Sequence, residues 1–442
     1  MAVLYLLLSV ILIIVLTTKL KVHPFLALFV VALLYGFLSG MPLSSIVESI
    51  NDGFGETLGK IGLIIIFGVI IGAFLENSGG AYKIAETILK IVGKKRVPTA
   101  MGIIGYFISI PVFADSGFIL LSPLNKSLAK KAGITLAGST IALSLGLIAT
   151  HTMVPPTPGP IAAAGILNAD LGLVMLIGLP VSALSLVAGI IFARKYASKI
   201  YIDPNPKVSE EQIKERMKSA PGTLKSSLPV IVPIQLIVIR SFITSQVDDP
   251  GEFLQFLQFL GEPVIALLLG VLLSLTLPKK LDKSMLSTTG WVGKALTDAA
   301  TIILITGAGG IFGKILQNSG IADLLGETLA DVHIGIWLPF LLSAAIKTAQ
   351  GSSTVALITT ASIMMPMMDS LGFTTEMDKA MTVIAIGAGS AVFSHANDSL
   401  FWVVTQMSGM DVKTGYKLQS LGSAILGIAA AIILFIWHLM FI

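Results

Sequence analysis

An all-α polytopic membrane protein made of two inverted-topology repeats is the fold that three features of the sequence predict. The first is composition. Of 442 residues, 54% are hydrophobic and 12% are charged, and the mean hydropathy is +0.90. A soluble domain carries roughly 25% charged residues. The second is a pair of polar breaks inside apolar runs. One is Thr150-His151-Thr152-Met153-Val154-Pro155-Pro156-Thr157-Pro158-Gly159-Pro160, and the other is Ser394-His395-Ala396-Asn397-Asp398. The third is a recurring register. Gly72-Ala73-Phe74-Leu75-Glu76-Asn77-Ser78-Gly79 returns 241 residues later as Gly313-Lys314-Ile315-Leu316-Gln317-Asn318-Ser319-Gly320.

Each half is expected to hold about five spans, one of them a broken helix, plus one re-entrant hairpin. Residues 4–17 and 24–39 form the first two spans. Residues 40–60 read as a polar loop with Glu48, Asp52 and Glu56, and 61–75 form the third span. Residues 76–95 carry charge at helical spacing, so Glu86, like Glu327 in the second half, belongs to an interfacial amphipathic helix. Residues 98–124 are apolar except at Ala114-Asp115-Ser116-Gly117. Cations flank them on both sides, Lys94-Lys95-Arg96 before and Lys126, Lys130 and Lys131 after. Cation-rich loops stay cytoplasmic, so this unit enters and leaves on one face. It reads as a hairpin with its tip at Asp115-Ser116-Gly117, and such backbone must be buried in protein or line a wet cavity. The span at 134–167 is broken beside His151, and 171–192 return to Arg194 and Lys195.

Residues 199–226 form the one sizeable hydrophilic linker, separating a first transmembrane repeat (1–198) from a second (227–442). Spans at 228–243 and 264–277 flank an acidic loop with Asp248, Asp249, Glu252 and Glu262. Arg240 is expected to snorkel to the interface. A span at 302–316, a second hairpin with its tip at 351–354, the break at Asp398 and a last span at 421–440 complete the half. Further landmarks keep the register. Pro123 and Pro366 end the hairpins and Gly146 and Gly389 precede the breaks, each pair 243 apart; Asp170 and Asp411 are 241 apart. The charge bias reverses between halves. Lys94-Lys95-Arg96 corresponds to Asp331-Val332-His333, and the Lys126–Lys131 loop to one with Asp369, Glu376 and Asp378. Ten spans and two hairpins then leave both termini outside.

Composition also excludes function classes. With no cysteine there is no disulfide and no thiolate metal site. The net charge of +4 lies in loops and predicts no nucleic-acid partner. The Gly-rich stretch 307–313 lacks the GK[ST] ending of a phosphate loop. Duplication argues against an intramembrane Ser-His-Asp hydrolase, since a catalytic constellation needs no inverted copy.

Interrupted segments at matching places in two halves point instead to the binding site of a transporter. Gly351, Ser352, Ser353 and Thr354 open a half-helix, whose free N–H groups suit a carboxylate. Small residues that merely pack closely are the structural alternative. Asp115 has no basic neighbour in sequence, and either carries a proton or caps the half-helix beginning at Ser116 and Gly117. His151 and His395 sit beside the breaks as ligand or proton contacts. Asn397 and Asp398 bind hydroxyls, relay protons or cap a half-helix. Thr152 and Thr157 are further candidate contacts, while Pro155, Pro156, Pro158 and Pro160 shape the break. No metal or cofactor is expected beyond the coupling ion.

Ser394-His395-Ala396-Asn397-Asp398 with Phe401-Trp402, together with Thr150-His151, Pro155-Pro156 and Pro158-Gly159-Pro160, resembles the gluconate permease family. Gly40-Met41-Pro42-Leu43 and Asn77-Ser78-Gly79-Gly80 extend the likeness over nearly the whole chain. The resemblance implies import of gluconate or a related hydroxy acid with a proton across the bacterial inner membrane. It also implies a dimer with an elevator-like motion. Asp115, His395 and Asp398 are then the candidates for the coupled proton. The chain departs from the family at Ser399-Leu400, where Pro-Gly is expected, at Thr157, where histidine is common, and at Asp115, where glutamate is usual. Glycerate, another aldonate or D-serine stay open as substrates, and sodium stays open as the coupling ion.

Overall fold

The computed structural model describes residues 2–93, 96–204, 220–247, 250–320 and 335–441. These residues are helical, without a strand among them. The expectations for Lys94-Lys95, Asp248-Asp249, Glu327, Asp331-Val332-His333 and the middle of the linker lie outside them.

The first repeat comprises α1 (Ala2–Thr18), α2 (Pro24–Leu38), α3 (Leu43–Asn77) and the short α4 (Gly80–Val92). Hairpin helices α5 (Val97–Ile108) and α6 (Ala114–Ala132) follow, then the broken pair α7 (Leu136–Met153) and α8 (Pro158–Leu167), and α9 (Leu171–Lys195). The second comprises α10 (Thr223–Gln246), α11 (Glu252–Leu260), α12 (Pro263–Ser274) and α13 (Trp291–Asn318). Its hairpin is α14 (Trp337–Gln350) and α15 (Ser353–Met364), its broken pair α16 (Glu376–Ala391) and α17 (Ser399–Ser408), and its last helix α18 (Leu421–Phe441). Among the described helices six are long and apolar enough to cross a bilayer, and the pair α11–α12, bent by 65°, makes a seventh. The 17 residues of α1 and the 15 of α2 are shorter than the ~20 that a full crossing takes.

The repeat is visible in how helices end. Gly79 and Gly320 both turn left-handed after α3 and α13, at φ 79° and 74°. Asn168 and Gly409 do so after α8 and α17, at φ 53° and 75°. Asp170 then accepts from the Leu173 N–H and Asp411 from the Thr414 N–H, both at 2.8 Å. Packing repeats too. The equivalent helices α3 and α13 lie against each other, α2 rests on α13, and α12 rests on α3. Each hairpin's second helix touches the opposite repeat's second half-helix, α6 on α17 and α15 on α8.

Four local expectations differ from what the chain does. Residues 43–60 are helix and not loop. Glu48, Asp52, Glu56 and Lys60 fall four apart and form one polar stripe, while Ile46, Ser49, Gly53 and Thr57 bury the adjoining side. Glu252 likewise begins a helix, and the linker's end at Thr223 already belongs to α10. Pro123 lies inside α6 and does not end it. Arg240, near the end of its span, pairs with Glu262 at 2.8 Å and Asp170 at 3.8 Å, each of which holds the N-cap position of a neighbouring helix.

Candidate functional site

Both hairpins and both breaks meet at one cavity of about 640 Å³. Ser109 caps α5, the chain turns through Pro111, and Asp115 and Ser116 lie in the first turn of α6. The first hairpin's tip is therefore the stretch 109–113, four residues before the polar cluster expected there. A carboxylate in a first helical turn meets the positive end of the helix dipole. The second tip falls at the expected place, with α14 ending at Gly351, φ +93°. Ser352 caps α15, its hydroxyl accepting from the Val355 N–H at 3.3 Å.

The break 392–398 is tied to the last turn of α14. His395 Nε2 lies 2.8 Å from the Thr348 carbonyl, and Asn397 Nδ2 donates to the Thr348 and Ala349 carbonyls at 2.9 and 3.1 Å. Last-turn carbonyls have no helical partner of their own, so these donors satisfy them. Asp398 caps α17, its Oδ1 accepting from the Leu400 N–H at 3.1 Å. Its Oδ2 lies 2.8 Å from Lys347 Nζ. Lys347 also donates to the Gly351 carbonyl and is 1% exposed. A buried charge in apolar surroundings persists only when paired and hydrogen-bonded, as this one is. Across the cavity, Asp115 Oδ2 accepts from the Ser399 hydroxyl at 2.8 Å, which joins the first hairpin to the second break.

The structure brings most candidate residues to this wall: Asp115, Ser116, His151, Thr152, Gly351, Ser352, Ser353, Thr354, Asn397 and Asp398. Three stand elsewhere. Gly117 packs against Leu147. Thr157 is buried, its hydroxyl donating to the Val154 carbonyl at 2.6 Å. His395 lies behind the wall, its ring stacked on Tyr416 at 6.3 Å. His151 packs edge-on to Phe113 at 6.1 Å, and its Nδ1 is buried without a hydrogen-bond partner.

Lys347, Gln350, Ser394 and Ser399 also line the wall, although the candidate binding and coupling residues drawn from the sequence did not include them. A lone lysine one turn before the glycine of a break was the available signal. Sequence reasoning missed Thr297, Asp298 and Thr301 of α13, whose spacing puts them on one helical face.

Paired hairpins and paired broken helices around a shared polar cavity define a membrane transporter of inverted-repeat architecture. The chain belongs to the GntP permease family: the family model described as "GntP family permease" matches residues 1–440. It is thus a multi-pass bacterial permease and not an enzyme. It is 38% identical over 438 residues to an "Uncharacterized permease" of Haemophilus influenzae, covering 95% of this chain and 88% of that one. It is 35% identical over 437 residues to the "Gluconate permease" of Pseudomonas aeruginosa, covering 98% and 96%. The fold matches the YdaH transporter of Alcanivorax borkumensis, described as having an unusual topology. That match has a TM-score of 0.65 at 13% identity and covers 94% of this chain and 98% of that one.

Proposed function

We propose that this permease imports gluconate or a closely related small hydroxycarboxylate by proton symport, through an elevator-type alternation of access. The observation that carries the reading is the cavity. It offers hydroxyls on Ser352, Ser353, Thr354 and Thr152, an amide on Asn397, and one lysine, all within about 640 Å³. That set suits a hydroxylated ligand and would leave a purely apolar one unmatched. The relatives named as gluconate permeases supply the substrate class. Glycerate, other aldonates and D-serine are the competitors to exclude. We place the chain as a homodimer in the bacterial inner membrane with both termini outside.

Sodium coupling is the rival reading, since carbonyls freed at broken helices coordinate Na⁺. At the second hairpin tip such carbonyls already have donors: Lys347 on Gly351, and His395 and Asn397 on Thr348 and Ala349. This favours a proton. The test is uptake of labelled gluconate into proteoliposomes, with a competition panel and imposed gradients. Uptake should rise as external pH falls and should collapse with a protonophore. Uptake that needs a sodium gradient and ignores an imposed pH gradient refutes the symport reading.

A further inference from the structure

The charges on the cavity wall do not suit an anion as they stand. Lys347 is the one lysine or arginine among its described lining residues, and Asp115, Asp298 and Asp398 are its carboxylates. The lysine is already engaged, by Asp398 and by the Gly351 carbonyl. A carboxylate entering this space meets three acids and no available cation.

An ammonium has three N–H donors, and two are placed here. The pair lies buried in the cavity wall, with the lysine 1% and the aspartate 8% exposed. It is anchored from both sides. His395 and Asn397 fasten the break to α14, and the Leu400 N–H holds the other carboxylate oxygen. Nζ is buried at rest, so a substrate reaches it only when the Lys347 or Asp398 side chain swings aside, while these contacts hold the backbone. If it does, the lysine keeps an anionic partner and Asp398 loses a cationic one. A carboxylate deprived of its cation in such a place is costly unless it is neutralised.

We propose that Lys347 is the ligand of the substrate carboxylate, and that Asp398 takes up the coupled proton as it surrenders the lysine. This deepens the symport reading above and rests on it. The substrate's carboxylate replaces Asp398 Oδ2 on Lys347 Nζ, and one proton from the aqueous side bonds to Asp398. No bond other than that O–H is made, and the site gains no net charge. Release reverses both steps: the aspartate gives its proton to the other side and recovers the lysine. The other titratable groups facing the exchange are Asp115 on α6, His151 on α7, Asp298 on α13 and, on the break itself, His395. The Asp115 carboxylate has the Ser399 hydroxyl, so its hydrogen bond does not depend on the lysine.

The experiment measures proton uptake when gluconate binds to purified protein in weak buffer, followed with an indicator dye. Wild type should take up about one proton for each gluconate bound. Asp398→Asn should bind gluconate with no proton uptake, should continue to exchange gluconate across vesicles, and should lose accumulation. Lys347→Gln should bind about tenfold more weakly or worse. Wild-type binding without proton uptake overturns the exchange, as does Asp398→Asn with uptake unchanged. So does a Lys347→Gln, Asp398→Asn double variant that regains full transport, since a merely structural pair would behave that way. Should either single variant fail to insert, the wild-type measurement still decides. If wild type binds no hydroxycarboxylate at all, the proposed function fails instead.

Discussion

Replacing Gly351 with alanine should damage the second hairpin tip in two separable ways. The residue sits at φ +93°, where an added Cβ is strained, at ~1–2 kcal/mol. That Cβ would also run into the Asn397 carbonyl and lie 3.0 Å from the Asn397 Cγ. Overpacking against a held neighbour costs a further ~1–3 kcal/mol. The neighbour is held, because the Asn397 side chain is hydrogen-bonded to the last turn of α14. Gly351→Ala should therefore destabilise by ~2–5 kcal/mol in all. Gly372→Ala is the control. It has a similar φ of +78° and nothing within 4 Å of the added carbon, so only the strain remains. Denaturant unfolding in detergent compares the two, with gluconate uptake measured alongside. Equal destabilisation by both variants would refute the claim that the tip is pressed against the break. Full uptake by Gly351→Ala would refute its role in the site.

Ser352→Ala and Thr354→Ala should each raise the apparent KM for gluconate about tenfold or more while leaving insertion intact; the lost bonds to a charged ligand are worth ~1.5–3 kcal/mol. Unchanged KM in both would remove the second hairpin tip from the site. Asp170→Ala should destabilise more than Asp411→Ala in the same unfolding assay. Asp170 loses its cap, worth ~1 kcal/mol, together with the Ser241 hydroxyl at 2.6 Å, whereas the exposed Asp411 loses the cap alone. The chain's lack of cysteine makes topology directly testable. Lys130→Cys should label from the cytoplasm and Glu376→Cys from outside, and labelling of both from one side would contradict inverted repeats.

Much of the architecture could be read from the letters, because the repeat preserves cap chemistry. Asp170 and Asp411, or Asn77-Ser78-Gly79 and its copy, are local signals whose meaning needs no distant partner. The second hairpin tip was equally plain, since Gly351 and Ser352 mark a helix end and a helix start. The first was misplaced because its true tip, Ser109-Ile110-Pro111-Val112-Phe113, is mostly apolar. The conspicuous polar group four residues on is the opening turn of α6. The stripe on α3 was taken for a loop because its charges were counted without their spacing. The partner of Lys347 was not legible, since residues 51 apart are joined only by tertiary packing. Thr297, Asp298 and Thr301 stayed hidden for the same reason.

At the crossing of α3 and α13 the two main chains all but touch. A methyl group on Gly53 would lie 2.6 Å from the Gly310 carbonyl oxygen and 2.8 Å from the Ile311 Cα, and one on Gly310 would strike Thr57 and the Gly53 carbonyl. Helices meshed at that distance cannot roll about their axes or slip by a residue without driving a side chain into backbone. The crossing therefore acts as a bearing, and its two helices make a fixed frame of reference. Spin labels on α3 and α13 near it should keep a constant separation with or without ligand. Any label elsewhere can then be measured against them.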